Sequence, residues 1–301
     1  MMIAIDLGSN SFRCIEYSCK TKQFGRSFER IVKTADRMHE TGIISDGAMV
    51  RVLEALKEAN KALEFSNHAV KAVTTQAMRM ASNADEVLQH FQKESGVAFE
   101  VIDADEEASY TLMAVEARLK ALKIESEHFV LIDVGGGSTE IIFYKEGSAE
   151  SRSFPVGIVT TAQQCDDGED IDEYLDRQFV PLIDYINTYY KQHEKPDAFV
   201  ATAGTPTTMA AYLLGMNYTN YDVDKINGYK LSLEGTQEAL DGLMSLSEDD
   251  RAAIVGVGRE SLILAGIVIV QKLYDVLGFD ETVVIDDGVR EGVAIDYCQR
   301  L

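Results

Sequence analysis

Positively charged residues are scarce in this 301-residue chain, which has 28 Lys and Arg against 50 Asp and Glu. The formal net charge of −22 excludes a typical nucleic-acid-binding protein, because such a protein needs a basic surface. The excess of acid is typical of a solvated surface that keeps a protein soluble. A ligand that carries phosphate would need local balance from arginine, helix N-termini or a divalent cation.

Long apolar runs are also missing. A helix that spans a bilayer needs about 20 apolar residues, and the closest candidate, Ser261–Leu273, is too short. The N-terminus, MMIAIDLGSN, lacks the basic region that opens a secretory signal peptide. We therefore expect no contact with a membrane and a cytoplasmic location.

Cysteine and histidine are few and scattered. The four cysteines show no CxxC spacing, and the five histidines do not pair at the spacing of metal ligands. We expect all the cysteines to be reduced and structural, as is usual in the cytoplasm, and we predict no zinc site. The residues concerned are Cys14, Cys19, Cys165, Cys298, His39, His68, His90, His128 and His193.

Strand-like and helix-like segments alternate along the chain, which predicts an α/β fold, and the length suggests about two domains. Short apolar runs predict strands over 2–5, 12–17, 70–73, 99–102, 129–133, 140–144, 199–201 and 282–285. Helical spacing of apolar residues predicts a helix behind an N-cap at Ser45, one after AGTPTT (203–208), and others over 75–80, 105–122, 174–192, 259–277 and 289–300.

An acidic segment, QQCDDGEDID (163–172), raises the question of calcium binding. It lacks the EF-hand spacing D-x-D-x-D-G-x5-E. We interpret it as a solvated loop or as the start of a helix.

One strand–turn–strand pattern occurs twice. Residues 5–13 read IDLGSNSFR and residues 132–140 read IDVGGGSTE, with Asp6 aligned to Asp133 and the last position changed from arginine to glutamate. Two such hairpins facing each other across a cleft would offer backbone N–H groups to phosphate oxygens. The arginine would add a cation, and the acidic copy could hold a hard metal ion.

Two further segments fit a phosphate site. In AGTPTT (203–208) small residues precede a helix whose N-terminus suits an anion, and Pro206 lies close to N1, where its missing N–H does no harm. In VTTQAMR (73–79), Arg79 lies about one turn into a helix that follows a strand.

These motifs resemble those of the exopolyphosphatase/guanosine-pentaphosphate phosphohydrolase (Ppx/GppA) family, within the actin, Hsp70 and sugar-kinase superfamily. The matching stretches follow the family's order: AIDLGSNSFR (4–13), TGIIS (41–45), VKAVTTQAMR (70–79), FEVIDADEEA (99–108), LIDVGGGSTE (131–140), AGTPTT (203–208), RESLILAG (259–266) and DGVREG (287–292). The resemblance implies an α/β fold with two ribonuclease-H-like domains, of the actin-like ATPase type, flanking a central cleft. We place them at 1–122 and 123–289, and expect the last helix, about 290–301, to pack back onto the first.

The resemblance also implies hydrolysis of a terminal phosphoanhydride with Mg²⁺ or another divalent cation. The implied small-molecule ligands are inorganic polyphosphate or guanosine pentaphosphate, and a homodimer is an open option. The family's essential glutamate corresponds to Glu107, the expected base; Glu140 is also catalytic and shares the metal with Asp133. The implied phosphate-binding residues are Ser9, Asn10, Ser11, Arg13, Arg79, Gly135, Gly136, Gly137, Ser138, Thr139, Gly204, Thr205 and Thr207.

Two alternative functions stay open on the same fold. A phosphotransferase related to acetate and sugar kinases would need a nucleoside pocket and a second acceptor site; the DGVREG stretch resembles the hydrolase version more closely. A non-catalytic sensor of guanosine nucleotides would not need the three acidic residues Glu107, Asp133 and Glu140, and their joint presence argues against it.

Overall fold

The computed structural model describes residues 1–124, 127–165 and 170–301. Its strands are β1 (Met2–Leu7), β2 (Ser11–Ser18), β3 (Gln23–Ile31), β4 (Ala69–Thr74), β5 (Phe99–Val101), β6 (His128–Val134), β7 (Thr139–Lys145), β8 (Ser148–Phe154), β9 (Ala198–Thr202), β10 (Tyr229–Ser232) and β11 (Glu281–Val284). Its helices are α1 (Met38–Thr41), α2 (Asp46–Leu63), α3 (Gln76–Met80), α4 (Ala84–Ser95), α5 (Ala104–Leu122), α6 (Ile158–Cys165), α7 (Ile171–Gln178), α8 (Val180–Gln192), α9 (Gly204–Leu213), α10 (Val223–Ile226), α11 (Leu233–Ser245), α12 (Glu248–Val255), α13 (Ile263–Leu277) and α14 (Val289–Gln299). Among the described residues, no helix is long and apolar enough to cross a membrane.

These elements form two compact units. Unit 1 contains residues 1–114 and 288–301, and unit 2 contains residues 115–287. The chain therefore passes from unit 1 to unit 2 within α5 and returns to unit 1 at Gly288, directly before α14.

Each unit is built on one sheet, and the two sheets share a strand order. The order is β3-β2-β1-β4-β5 in unit 1 and β10-β11-β9-β6-β7-β8 in unit 2. Three consecutive strands pair antiparallel in each unit, and the next strand pairs in parallel with the first of the three. The hairpin that is repeated in the sequence is thus one part of a larger structural repeat, which includes most strands of each sheet.

Strand β1 shows why these residues fold as they do. Successive side chains of a strand point to opposite faces, and here Ile3 and Ile5 enter one core while Met2 and Ala4 enter another. The second core is closed by Val293 and its neighbours on α14. Because both faces of β1 are covered, its sequence is almost uniformly apolar.

Several predicted boundaries need correction. The single helix predicted over 174–192 is wrong, because α7 ends at Gln178 and α8 begins at Val180 with Pro181 in its first turn. Proline lacks an N–H and is tolerated only at a helix start, so it divides the segment. The helix predicted from 259 begins at Ile263, after a turn with Gly258 at φ 88°.

The edge strands and the acidic segment show the limits of the sequence patterns. The sequence patterns do not predict the edge strands β3, β8 and β10, because at most one side chain of each is fully buried and none contains a run of consecutive apolar residues. Within the acidic segment, residues 166–169 lie outside the described residues. On either side of them, Cys165 ends α6 and Asp170 caps α7 by accepting from the amides of Asp172 and Glu173.

The expectation that all four cysteines are reduced is wrong. Cys19 and Cys298 form a disulfide, with their Cα atoms 5.1 Å apart and a sequence separation of 279. No local spacing could predict this pair, because it forms only when α14 returns to pack on β1 and β2. Cys14 stays a thiol, and burial raises its pKa to about 12, so it is not a reactive thiolate.

Reduction of the Cys19–Cys298 bond is expected to lower the free energy of unfolding by about 2–4 kcal/mol, because the bond closes a long loop in the unfolded chain. The measurement is the melting temperature with and without dithiothreitol. Cys298→Ser should melt at the reduced temperature in both conditions. A wild-type melting temperature that does not respond to reductant would contradict the prediction.

Candidate functional site

The first hairpin turn joins β1 to β2 in unit 1. The Gly8 amide donates to the Ser11 carbonyl at 3.0 Å, and the carbonyls of Ser9 and Asn10 accept from amides of segment 32–35, which follows β3. In the part of the chain that the structure describes, the amides of Ser9 and Asn10 donate to no acceptor. The turn therefore has engaged carbonyls and available N–H groups, which suits an anion.

The second hairpin turn, between β6 and β7 in unit 2, is built in the same way. The Gly135 amide donates to the Ser138 carbonyl at 2.9 Å, and the carbonyls of Gly135 and Gly136 accept from amides of residues 158–160 at the start of α6. Among the described residues, nothing accepts from the amides of Gly136 and Gly137. The two turns thus share the closing hydrogen bond and the support of a later backbone segment, although the engaged carbonyls of the second turn lie one position earlier in the repeat.

A second backbone segment packs closely against the glycine turn. A Cβ on Gly157 would lie 2.5 Å from the carbonyl carbon and oxygen of Gly136 and from the carbonyl carbon of Gly137. The Thr139 hydroxyl donates to the Val156 carbonyl at 2.6 Å and fixes the same segment. The structure thus gives the Thr139 hydroxyl a supporting partner, and the prediction that Thr139 binds phosphate stays a prediction.

Gly157→Ala is expected to lower the free energy of unfolding by about 1–3 kcal/mol, because the added methyl group overlaps the backbone of the turn. The measurement is thermal or chemical unfolding. Gly47→Ala is the matched control: it lies in α2, and the nearest atoms to its added Cβ are 3.4 Å or more away. Equal stability of the Gly157 variant and the wild type would show that the turn is not packed as described.

Two carboxylates face each other where the second hairpin begins. Asp133 and Glu140 are register partners across β6 and β7, and they are 9% and 2% exposed. Ser153 on β8 donates its hydroxyl to Glu140 Oε1 at 2.7 Å. Like charges directly opposite each other on a sheet are destabilising, so this pair is suited to a cation. In unit 1 the equivalent register pair is Asp6 and Arg13, in which the charges are opposite.

The donor set of the facing carboxylates fits a hard divalent cation. No group of three or more His, Cys, Asp or Glu side chains in the described ranges is arranged to hold a metal. Mg²⁺ is usually held by one or two carboxylates, with the remaining positions filled by water and substrate phosphates. Asp133 and Glu140 are therefore sufficient protein ligands for Mg²⁺ but not for zinc.

The two predicted phosphate-binding arginines in unit 1 both lie beside carboxylates. Arg13 Nε is 3.5 Å from Glu29 Oε1, its register partner on β3. Arg79, on α3, donates from Nη1 to Glu107 Oε2 at 2.8 Å and to the Ile102 carbonyl at 2.9 Å. The structure therefore brings Arg79 and Glu107 together, although 28 positions separate them in sequence.

The adjacent glutamates at the start of α5 have different roles. Glu106 accepts from the Asp103 amide at 3.1 Å, and Asp103 accepts from the Glu106 amide at 2.8 Å, which is a reciprocal N-terminal cap. Glu107 is not part of this cap, and its side chain is only 12% exposed. Glu106 is thus the ordinary capping acid of a helix first turn, and Glu107 is the candidate for chemistry.

The loop before α9 contains a strained residue. Ala203 has φ 71° and ψ −174°, a conformation that is essentially confined to glycine. The Thr207 hydroxyl donates to the carbonyls of Ala203 and Gly204 at 3.0 and 3.1 Å, so its proton stabilises the loop. A Cβ on Gly266 would lie 2.2 Å from Thr205 Oγ1, so α13 approaches this helix start closely. Such strain is typical of a functional loop.

The segments that support the two turns were missed in the sequence, although a signal was present. Val32–Ala35 reads VKTA and Val159–Ala162 reads VTTA. The offset between them is 159 − 32 = 127, which equals the offset of the two hairpin aspartates, 133 − 6 = 127. A search for further repeats at that offset would have found both segments. No repeat of this kind marks Ser153, which donates to Glu140, or Gln76, which contacts Arg79.

Known proteins share both the sequence and the fold of this chain. The Ppx/GppA phosphatase family model matches residues 26–301. A Mycobacterium tuberculosis protein named Exopolyphosphatase 2 is 26% identical over 321 aligned positions, covering 97% of each chain. The structure of the Aquifex aeolicus PPX-GPPA enzyme is 30% identical, with a TM-score of 0.76 and 98% of each chain covered.

A structure of an exopolyphosphatase from Cytophaga hutchinsonii superimposes with a TM-score of 0.84 at 24% identity, covering 100% of this chain and 98% of that one, which supports the fold. The predicted α/β fold with two ribonuclease-H-like, actin-like domains is confirmed. The family resemblance and the assignment as an enzyme of that family are also confirmed. On this evidence the chain belongs to the Ppx/GppA phosphatase family.

Proposed function

We propose that this protein is a metal-dependent hydrolase that releases the terminal phosphate of inorganic polyphosphate or of guanosine pentaphosphate. The M. tuberculosis relative is named as an exopolyphosphatase. Guanosine pentaphosphate is the second substrate that the resemblance to the Ppx/GppA family implies. Both substrates end in a phosphoanhydride, so one set of residues can act on either.

The observation that carries the proposal is the pair of buttressed hairpin turns. Each turn has its carbonyls engaged and its N–H groups available, which is the arrangement that binds phosphate oxygens. Only the second turn is followed by facing carboxylates, Asp133 and Glu140. We therefore assign anion binding to both units and the cation site to unit 2.

Hydrolysis of a phosphoanhydride needs charge neutralisation, a water in line with the bond, and a group that orients or deprotonates it. We assign phosphate binding to the amides of both turns and of the α9 start, and charge neutralisation to Arg13 and Arg79. Glu107 accepts the proton of the attacking water on a carboxylate oxygen. Asp133 and Glu140 would hold Mg²⁺, which supplies further positive charge when bound.

The experiment is a phosphate-release assay with polyphosphate, guanosine pentaphosphate and ATP as separate substrates. The proposal predicts phosphate from at least one of the first two and little from ATP. A phosphotransferase would use ATP and require an acceptor, and a sensor would bind guanosine nucleotides without releasing phosphate. Either of those results would overturn the proposal.

A further inference from the structure

The guanidinium of Arg79 donates hydrogen bonds to three residues. Its Nε and Nη2 both donate to Gln76 Oε1, at 3.3 and 2.9 Å, and its Nη1 donates to Ile102 and Glu107. An arginine has five N–H donors, and these four hydrogen bonds use most of them. A phosphate that binds two nitrogens of this guanidinium must therefore displace a partner.

The partners differ in how easily they can be displaced. The Ile102 carbonyl is part of the backbone, and the Ile102 amide is itself bonded to the Thr74 carbonyl at 3.0 Å. Gln76 Oε1 accepts both hydrogen bonds from the Nε–Nη2 edge of Arg79, and Gln76 Nε2 donates to Met80 Sδ, a weak acceptor, at 3.1 Å. Glu107 is a charged side chain, and an incoming phosphate repels it.

We propose that Gln76 is a positioning residue that holds the Nε–Nη2 edge of Arg79 while the substrate phosphate replaces Glu107 at Nη1. This inference rests on the proposed function, because it concerns the same arginine and the same base. Gln76 is neutral, so it orients the guanidinium without opposing the phosphate charge. The exchange places phosphate on Arg79 at the moment when Glu107 loses that ion pair and can accept a proton from water.

The exchange predicts opposite effects of two substitutions on phosphate binding. Glu107→Gln removes a charged competitor and should tighten binding about three- to tenfold. Gln76→Met keeps the size of the side chain but removes the acceptor of two charge-assisted hydrogen bonds, and should weaken binding about tenfold. Gln76→Glu keeps the acceptor but adds a second carboxylate, and should weaken binding by at least as much.

The test is isothermal titration calorimetry with imidodiphosphate, whose P–N–P bridge resists hydrolysis. Gln92→Glu is the matched control, since it makes the same change at an exposed position of α4 in the same unit. Steady-state kinetics with short polyphosphate should show that the Gln76 variants raise KM more than they lower kcat. Loss of folded protein would lower kcat alone, and a melting curve for each variant checks this directly.

The outcomes separate the inference from the proposed function. Unchanged binding in both Gln76 variants, or weaker binding in Glu107→Gln, overturns the inference even if the wild type hydrolyses polyphosphate. The expected binding pattern without phosphate release supports the inference and overturns the proposed reaction. Absence of imidodiphosphate binding by the wild type overturns the inference, and the phosphate-release assay then decides the proposed reaction by itself.

Discussion

Glu107→Gln should reduce the rate of phosphate release by about 100- to 10,000-fold, the usual cost of removing a general base. Glutamine has almost the same shape as glutamate but cannot accept the proton of the attacking water. The burial of Glu107 and its ion pair with Arg79 place it apart from the capping acid next to it. The measurement is kcat with saturating polyphosphate, because substrate binding is expected to persist.

The matched control is the neighbouring Glu106→Gln. Its side chain is exposed, and glutamine can still accept the hydrogen bond from the Asp103 amide. This variant should keep activity within about threefold of wild type, as expected for a surface substitution that retains its cap. Turnover close to wild type in Glu107→Gln, or an equal loss in both variants, would contradict the assignment of the base.

Removal of the divalent cation should lower activity about a thousandfold, since a metal at the transferring phosphate contributes several kcal/mol of charge stabilisation. Excess EDTA should therefore abolish phosphate release, and added Mg²⁺ should restore it. The facing carboxylates give a second readout that does not depend on activity. Mg²⁺ should raise the melting temperature of wild type, because it relieves the repulsion between Asp133 and Glu140.

Glu140→Gln tests the same cation site by removing a proposed ligand instead of the metal. It should lose activity and lose the Mg²⁺-dependent rise in melting temperature, because one of the two carboxylate ligands is gone. Glu146→Gln, an exposed substitution at the end of the same hairpin, should behave as wild type in both respects. Full activity in EDTA, or an unchanged response to Mg²⁺ in Glu140→Gln, would show that the cation site is elsewhere.

The disulfide and the buttressing segments show how function-related structure can escape sequence patterns. Cys19 and Cys298 lie near the two ends of the chain and meet only because α14 returns to unit 1. The segments 32–35 and 158–160 contact the hairpin turns through backbone atoms, so the repeated VKTA and VTTA stretches do not by themselves reveal which turn each segment supports. Such tertiary contacts depend on the path of the chain and not on local preference.

The sequence by itself determined the elements whose signals are local. Apolar runs and helical spacing identified the central strands and most long helices, and the Ser45 cap is present as predicted. The repeated Asp-Gly turn indicated two related halves, because close backbone approach and a tight turn both require small residues. The candidate site residues on both hairpins were recognisable from the same repeat.

Only the tertiary structure decided which of these residues act on one another. The family resemblance singled out Glu107, but only the structure shows how its surroundings differ from those of Glu106: Glu107 contacts Arg79, and Glu106 caps the helix. Asp133 lies opposite Glu140 because of the strand register. The hydrogen bond from Arg79 to Gln76 depends on the direction of both side chains. A hydrogen bond forms only when donor and acceptor are about 3 Å apart, and a sequence pattern does not contain such distances.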